Sequence, residues 1–228
     1  GEVYAWAVEQ SVRDALQTKR HRQIRLASSP FTGMAEEWAA DPDTLPFRHP
    51  RIAFRNVTNA TNRRTCVVAL VPPNTVLTNI APYVVRRQGG TRAEAFLLGV
   101  LSSIPLDWYV RRFVELAFNF HIFNGLPIPD LKDNPAVVER VLTLVTGLVS
   151  ENSQFDNWVA EVGVEPETFA TNEERLDAKA ELDALVSILY GLAESQIVHI
   201  FENFHRGWDH HDRLEAVMEH YRAWKVKA

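Results

Sequence analysis

The stretch Arg51–Pro82, RIAFRNVTNATNRRTCVVALVPPNTVLTNIAP, decides how the whole chain is read. It opens with the alternation Arg51-Ile52-Ala53-Phe54-Arg55, which puts two arginines on one strand face with an apolar residue between them. A polar loop rich in Asn and Thr follows, Asn56 to Thr65. An apolar run, Cys66 to Val71, is stopped by Pro72-Pro73, and Thr75 to Ile80 reads as a third short strand. The pattern is that of a small antiparallel meander. Its loop offers Asn, Thr and Arg together, the side chains that reach phosphates and base edges. The same residue types also close turns, and spacing does not separate the two uses.

Charge is distributed unevenly around this stretch. Between Arg48 and Phe120 stand ten basic residues, all arginine, against Glu94, Asp107 and Glu115, a local net of +7. With a total of −5, the remainder of the chain carries −12. Arginine pairs bidentately with phosphate and guanine, so an acidic protein can still hold DNA on one basic face. Pairing of these arginines with the surplus carboxylates is the competing explanation.

The 228 residues suit one large or two small domains with an ample core. No apolar run is long enough to cross a bilayer, and the N-terminus lacks a basic-then-apolar signal pattern. The single cysteine, Cys66, excludes an internal disulfide and reads as a buried strand thiol. These features point to a reducing cytoplasm. The chain starts without methionine and in mid-element, as a piece of a longer protein does.

Helical spacing runs from Glu2 to Leu26, and breakers make Ser28–Arg48 a loop pinned by Trp38 and Phe47. The basic Lys19–Arg25 stretch reads as a solvated helix end. Arg86–Gly90 is a turn. Thr91 is placed to cap a buried helix through Ser103, and Pro105 starts an amphipathic one, Leu106–Ala117. In that helix Trp108, Phe113 and Leu116 are expected inward, with Arg111 and Arg112 in water. Phe118–Phe123 alternates as a strand does. Beyond Pro129 helices are expected at Pro135–Val149, Asn152–Val162, Glu173–Tyr190, Glu194–Phe204 and Asp209–Lys225, with Thr171 or Asn172 capping the third.

No catalytic motif stands out: there is no phosphate-cradling glycine loop, no HExxH and no GxSxG. The histidines His199, His205, His210, His211 and His220 with Asp212 match no common zinc spacing. The aromatic residues between Trp108 and Phe123 are spaced for core packing, although one could stack on an extruded base.

Three ordered stretches together resemble the C-terminal part of large adenine-specific DNA methyltransferases, the single-chain Type IIG restriction–modification enzymes and their phage-defence relatives. They are RIAFRNVTNATNRRTCVVALVPP with LTNIAPYVV, then FLLGVLSSIPLDWYVRRFVELAFNFHIFNGLPIP, then RLDAKAELDALVSILYGLAESQIVHIFENF. The resemblance covers most of Arg51–Phe204. It implies a target-recognition domain that grips duplex DNA while the target adenine is flipped out, followed by a helical extension. The S-adenosylmethionine-binding catalytic domain lies upstream in such enzymes, so this stretch is expected to hold no cofactor, no metal and no methyl-transfer activity of its own. Where the Arg51–Pro73 stretch is scaffold, base reading falls to Arg86–Arg92 or Ser28–Arg48.

The expectation is therefore an α+β chain: an N-terminal helix over 1–27, a recognition domain with a small antiparallel sheet over 28–129, and an all-helical domain over 130–228. Its expected partners are double-stranded DNA, the upstream methyltransferase domain and a possible defence-complex subunit, at the nucleoid and not at a membrane. Arg51, Arg55, Asn59, Asn62, Arg63 and Arg64 are expected on DNA from the meander, Arg86, Arg87 and Arg92 on a second edge, and Arg111 and Arg112 beside them. The rival class is a protein-interaction module, with the acidic helices docked on another subunit. A metal-dependent nuclease using the histidine tail is the weakest alternative.

Overall fold

The structure is a computed structural model that describes residues 8–29, 31–85 and 90–226. It is 55% helical with one small antiparallel sheet, an α+β chain. The chain falls into two compact units, Gly1–His49 with Pro73–Val76, and Pro50–Pro72 with Leu77–Ala228.

The first unit is organised by α1 (Glu9–Gln23) and α2 (Glu36–Ala40), followed by two 310 turns, Pro42–Thr44 and Pro46–Arg48. The stretch expected to be loop thus contains a helix. Arg20 is not solvated: it is buried with its guanidinium 4.2 Å from the Trp38 ring and 5.2 Å from Phe31, and it donates to the Thr44 hydroxyl. An aromatic pair of this kind lets a cation leave water while its N–H groups keep an acceptor. Asn74, at φ +60°, donates its N–H to the Phe47 carbonyl (2.7 Å) and accepts from Arg48 (2.8 Å).

The second unit begins with β1 (Arg51–Phe54) and β2 (Val68–Val71), antiparallel, with Arg51 opposite Val71 and Phe54 opposite Val68. Thr75–Ile80 does not form the expected third strand. Ile80–Val84 takes that place beside β1, through Asn56 to Ile80, Phe54 to Pro82 and Val84 to Ile52 backbone bonds. Pro82 can only accept, and it does so on the one register that asks nothing more of it.

The helices follow: α3 (Gly90–Ser102), α4 (Ile104–Val110), α5 (Phe120–Phe123), α6 (Pro135–Val149), α7 (Asp156–Val162), α8 (Asn172–Leu189), α9 (Glu194–Glu202) and α10 (His211–Lys225). Phe118–Phe123 is not a strand. Asn119 caps a helical turn, which lets Phe120 and Phe123 both meet Phe54, at ring distances of 5.3 and 4.8 Å. Helix α4 stops at Val110, so Phe113 and Leu116 face solvent instead of the core, at 52% and 79% exposure. At α8 the Thr171–Glu174 capping box forms as its spacing requires.

One hydrophobic core joins Ile52, Phe54 and Phe96 to Val141, Leu185 and Tyr221. Chain compactness therefore does not divide at Pro129: the sheet and the later helices share a single interior. No single helix among the described residues is long and apolar enough to cross a membrane. The bent pair α3–α4, which turns by 70°, is mostly buried in this core.

Gly99 sets how closely α3 approaches α6. A Cβ there would lie 2.8 Å from Val145 and 2.9 Å from Val141. Gly99→Ala is expected to destabilise the chain by about 1–3 kcal/mol through overpacking, read from the urea midpoint. Gly147→Ala should cost more, because its Cβ would strike the Glu167 backbone carbonyl, which cannot swing aside.

Candidate nucleic-acid interface

The loop between β1 and β2 is long, polar and held from within. Its end is fixed by Asp107 on α4, whose carboxylate is fully buried. Oδ1 accepts the Thr65 and Cys66 N–H groups at 3.1 and 2.9 Å, and Oδ2 accepts Arg64 Nε at 2.5 Å. Arg64 also donates to the Ser102 and Ser103 carbonyls at 2.8 and 3.2 Å, the turn between α3 and α4. A buried carboxylate needs donors of this number, because each replaces a hydrogen bond to water.

Arg111 organises the rest of the loop. Its guanidinium donates to the carbonyls of Ala60 (3.0 Å), Asn62 (2.8 Å) and Arg63 (2.7 Å), and to that of Phe204 (2.8 Å), over whose ring it lies at 4.0 Å. Burial draws Arg111 below its ordinary range and the Asp107 charge pulls the other way. Inside the loop, Arg55 bonds Thr58 Oγ1 and the Arg64 carbonyl, both at 3.0 Å. Asn59 Oδ1 accepts from the Thr61 and Asn62 N–H groups at 3.0 and 3.1 Å, an Asx turn. The Asn62 amide packs against Arg55 and the Thr58 hydroxyl.

The eleven expected DNA contacts therefore divide. Arg64 and Arg111 are frame, not grip: their guanidinium groups donate to loop and turn carbonyls, and in Arg64 to Asp107 as well. Arg55, Asn59 and Asn62 shape the loop. Arg51 is buried, its guanidinium 4.8 Å from the Tyr83 ring, and burial lowers its pKa. Arg92 pairs with Glu139 on α6. Arg86 and Arg87 lie outside the described residues.

Arg63 and Arg112 remain exposed, Arg112 lying 4.3 Å from the Trp108 ring. Sequence reasoning missed Arg206. Arg111 bonds the Phe204 carbonyl, and the His205 ring nitrogen lies 3.1 Å from the Thr61 carbonyl, so the turn after α9 sits beside the loop. The exposed Arg206 is therefore carried on a turn that borders the loop bearing Arg63 and the turn of Arg111 and Arg112. Among the described residues, neither Arg63 nor Arg206 has a hydrogen bond or an ion pair from its side chain. No local pattern in HRGWDHH signals this juxtaposition, which rests on the long-range contacts of Arg111 and His205.

Among the described residues no group of three His, Cys, Asp or Glu is placed to hold a metal ion. No protein-family model, curated protein or solved structure matches the chain.

Cys66 lies next to this frame. Burial, with the Asp107 charge beside it, pushes its thiol up to about 12 against the opposing pull of Arg64. Buried and held protonated, the thiol of native protein should be inert to a disulfide reagent and react only when urea opens the chain. Rapid labelling of folded protein would contradict this burial.

Asp107→Ala removes the acceptor of two buried backbone N–H groups and of the half-buried Arg64 guanidinium. Stability should fall by about 3–5 kcal/mol, the usual loss when one partner of a buried pair is deleted. A loss under about 1 kcal/mol in urea unfolding would show that the loop is held by something else.

Proposed function

We propose that this chain is a duplex-DNA recognition module, serving an adenine-modifying, S-adenosylmethionine-dependent methyltransferase domain of the same protein. The module itself is non-catalytic, and its place is the cytoplasmic nucleoid. The reading is carried by one observation: a rigid frame around Arg111 leaves three exposed arginines, Arg63, Arg112 and Arg206, on neighbouring turns. Guanidinium groups displayed without an ion-pair partner meet phosphates without first being freed from carboxylates. The ordered resemblance to the recognition region of Type IIG enzymes supports the same reading. Arg86 and Arg87 belong to the grip as the sequence expectation had them. S-adenosylmethionine belongs to the catalytic domain, not to this module.

A second reading, a docking module of a multi-subunit defence complex, is favoured by a different observation. Val57, Ile80, Leu116 and Phe120 stand 67%, 61%, 79% and 45% exposed around the bridge between Val57 and Ala117. Exposed apolar side chains gathered in this way mark contact surfaces.

The salt dependence of duplex binding tests the first reading. Arg63→Ala and Arg206→Ala should each weaken binding on every sequence tried and reduce the slope of log K against log salt by about 0.9. Unchanged affinity and slope in the double variant would leave the docking module as the function.

A further inference from the structure

The small sheet ends in an open edge. In β1, the Phe54 N–H donates to Pro82 and the Ile52 carbonyl accepts from Val84, so these residues direct their backbone groups away from β2. Antiparallel ladders alternate, and the residues opposite them, Leu70 and Val68, must direct theirs away from β1. The bond from the Arg55 N–H to the Val67 carbonyl confirms this phase. Among the described residues nothing pairs with the N–H and C=O groups of Val68 and Leu70.

A groove of about 830 Å³ runs beside this strand. Val68 and Leu70 line one wall, Leu148, Val149 and Leu176 line another, and Leu176 is half exposed. Arg63 stands at the groove, near the start of β2, and is exposed without a carboxylate partner among the described residues.

We propose that the groove beside β2 binds an extended peptide of a partner protein, which adds a strand to the sheet. The four open backbone groups choose the occupant. A docked helix keeps its N–H and C=O groups for itself, whereas an extended chain offers them in the spacing of Val68 and Leu70. Apolar side chains at alternate peptide positions fill the Leu148–Leu176 end, and an acidic side chain pairs with Arg63. The site shares Arg63 with the proposed DNA grip, whereas the strand edge and Leu176 belong to the groove alone.

Panning the whole chain against a displayed library of random short peptides tests it. Enriched peptides should alternate apolar and polar residues and carry an acidic residue at one end. Synthetic versions should lose about tenfold in affinity or more on Leu176→Glu, on Arg63→Glu, and when the peptide backbone is N-methylated at the residues that pair with β2. The N-methylated peptide leaves the protein unchanged, so its loss does not depend on how a variant folds. Leu176→Glu should retain the duplex affinity of the parent chain. No enrichment, binders indifferent to these changes, or a dimer of the chain abolished by Leu176→Glu would each overturn the proposal.

Discussion

The carboxylate of Asp107 is the constraint on which the basic half of this protein rests. It is fully buried, and it is met by two backbone N–H groups and by Arg64. A buried carboxylate in such a place is stable only while all its donors stay in position. The requirement therefore runs backwards: α4 must be where it is, Thr65 and Cys66 must enter β2 at that point, and Arg64 must fold inward. Asp183 repeats the device one layer further in. It accepts the Ile104 N–H at the start of α4 (2.8 Å) and pairs with Arg213 of α10. The short helix α4 is thus tied at its first turn to the C-terminal helices and through Asp107 to the loop, which explains why sheet and helical region share one core.

Arginine is used in three ways here. Arg20 and Arg51 are buried against aromatic rings. Arg64 and Arg111 cap backbone carbonyls and balance Asp107. Arg63, Arg112 and Arg206 are displayed. A frame built from arginines is well suited to displaying others, because the planar fork of Arg111 satisfies three loop carbonyls and one from the neighbouring turn at once. Lysine, with a single ammonium, could not hold four carbonyls in that plane. The long polar loop is thereby fixed without strand or helix of its own.

Much of this was legible in the sequence. The alternation at Arg51–Arg55 and the apolar run before Pro72 located β1 and β2, and the cap at Thr171 or Asn172 located α8, because each signal is local. The burial of Cys66 was legible too. The failures share one cause, which is distance along the chain. Phe118–Phe123 alternates convincingly, yet Phe54, over sixty residues earlier, rewards the helical turn instead. The +7 count in Arg48–Phe120 was real, but charge counting cannot tell that Asp107 lies beneath Arg64, or that Phe204 supplies a carbonyl to Arg111. Arg206 lay outside the basic segment altogether and was invisible for the same reason.

The central claim is that the frame displays arginines for duplex DNA. Selection of the intact chain on a randomised duplex library, at low and at near-physiological salt, measures it most directly. The account predicts retained duplexes whose binding weakens steeply with salt, with a short adenine-containing motif enriched where base edges are read as well as phosphates. No retention even at low salt would contradict it.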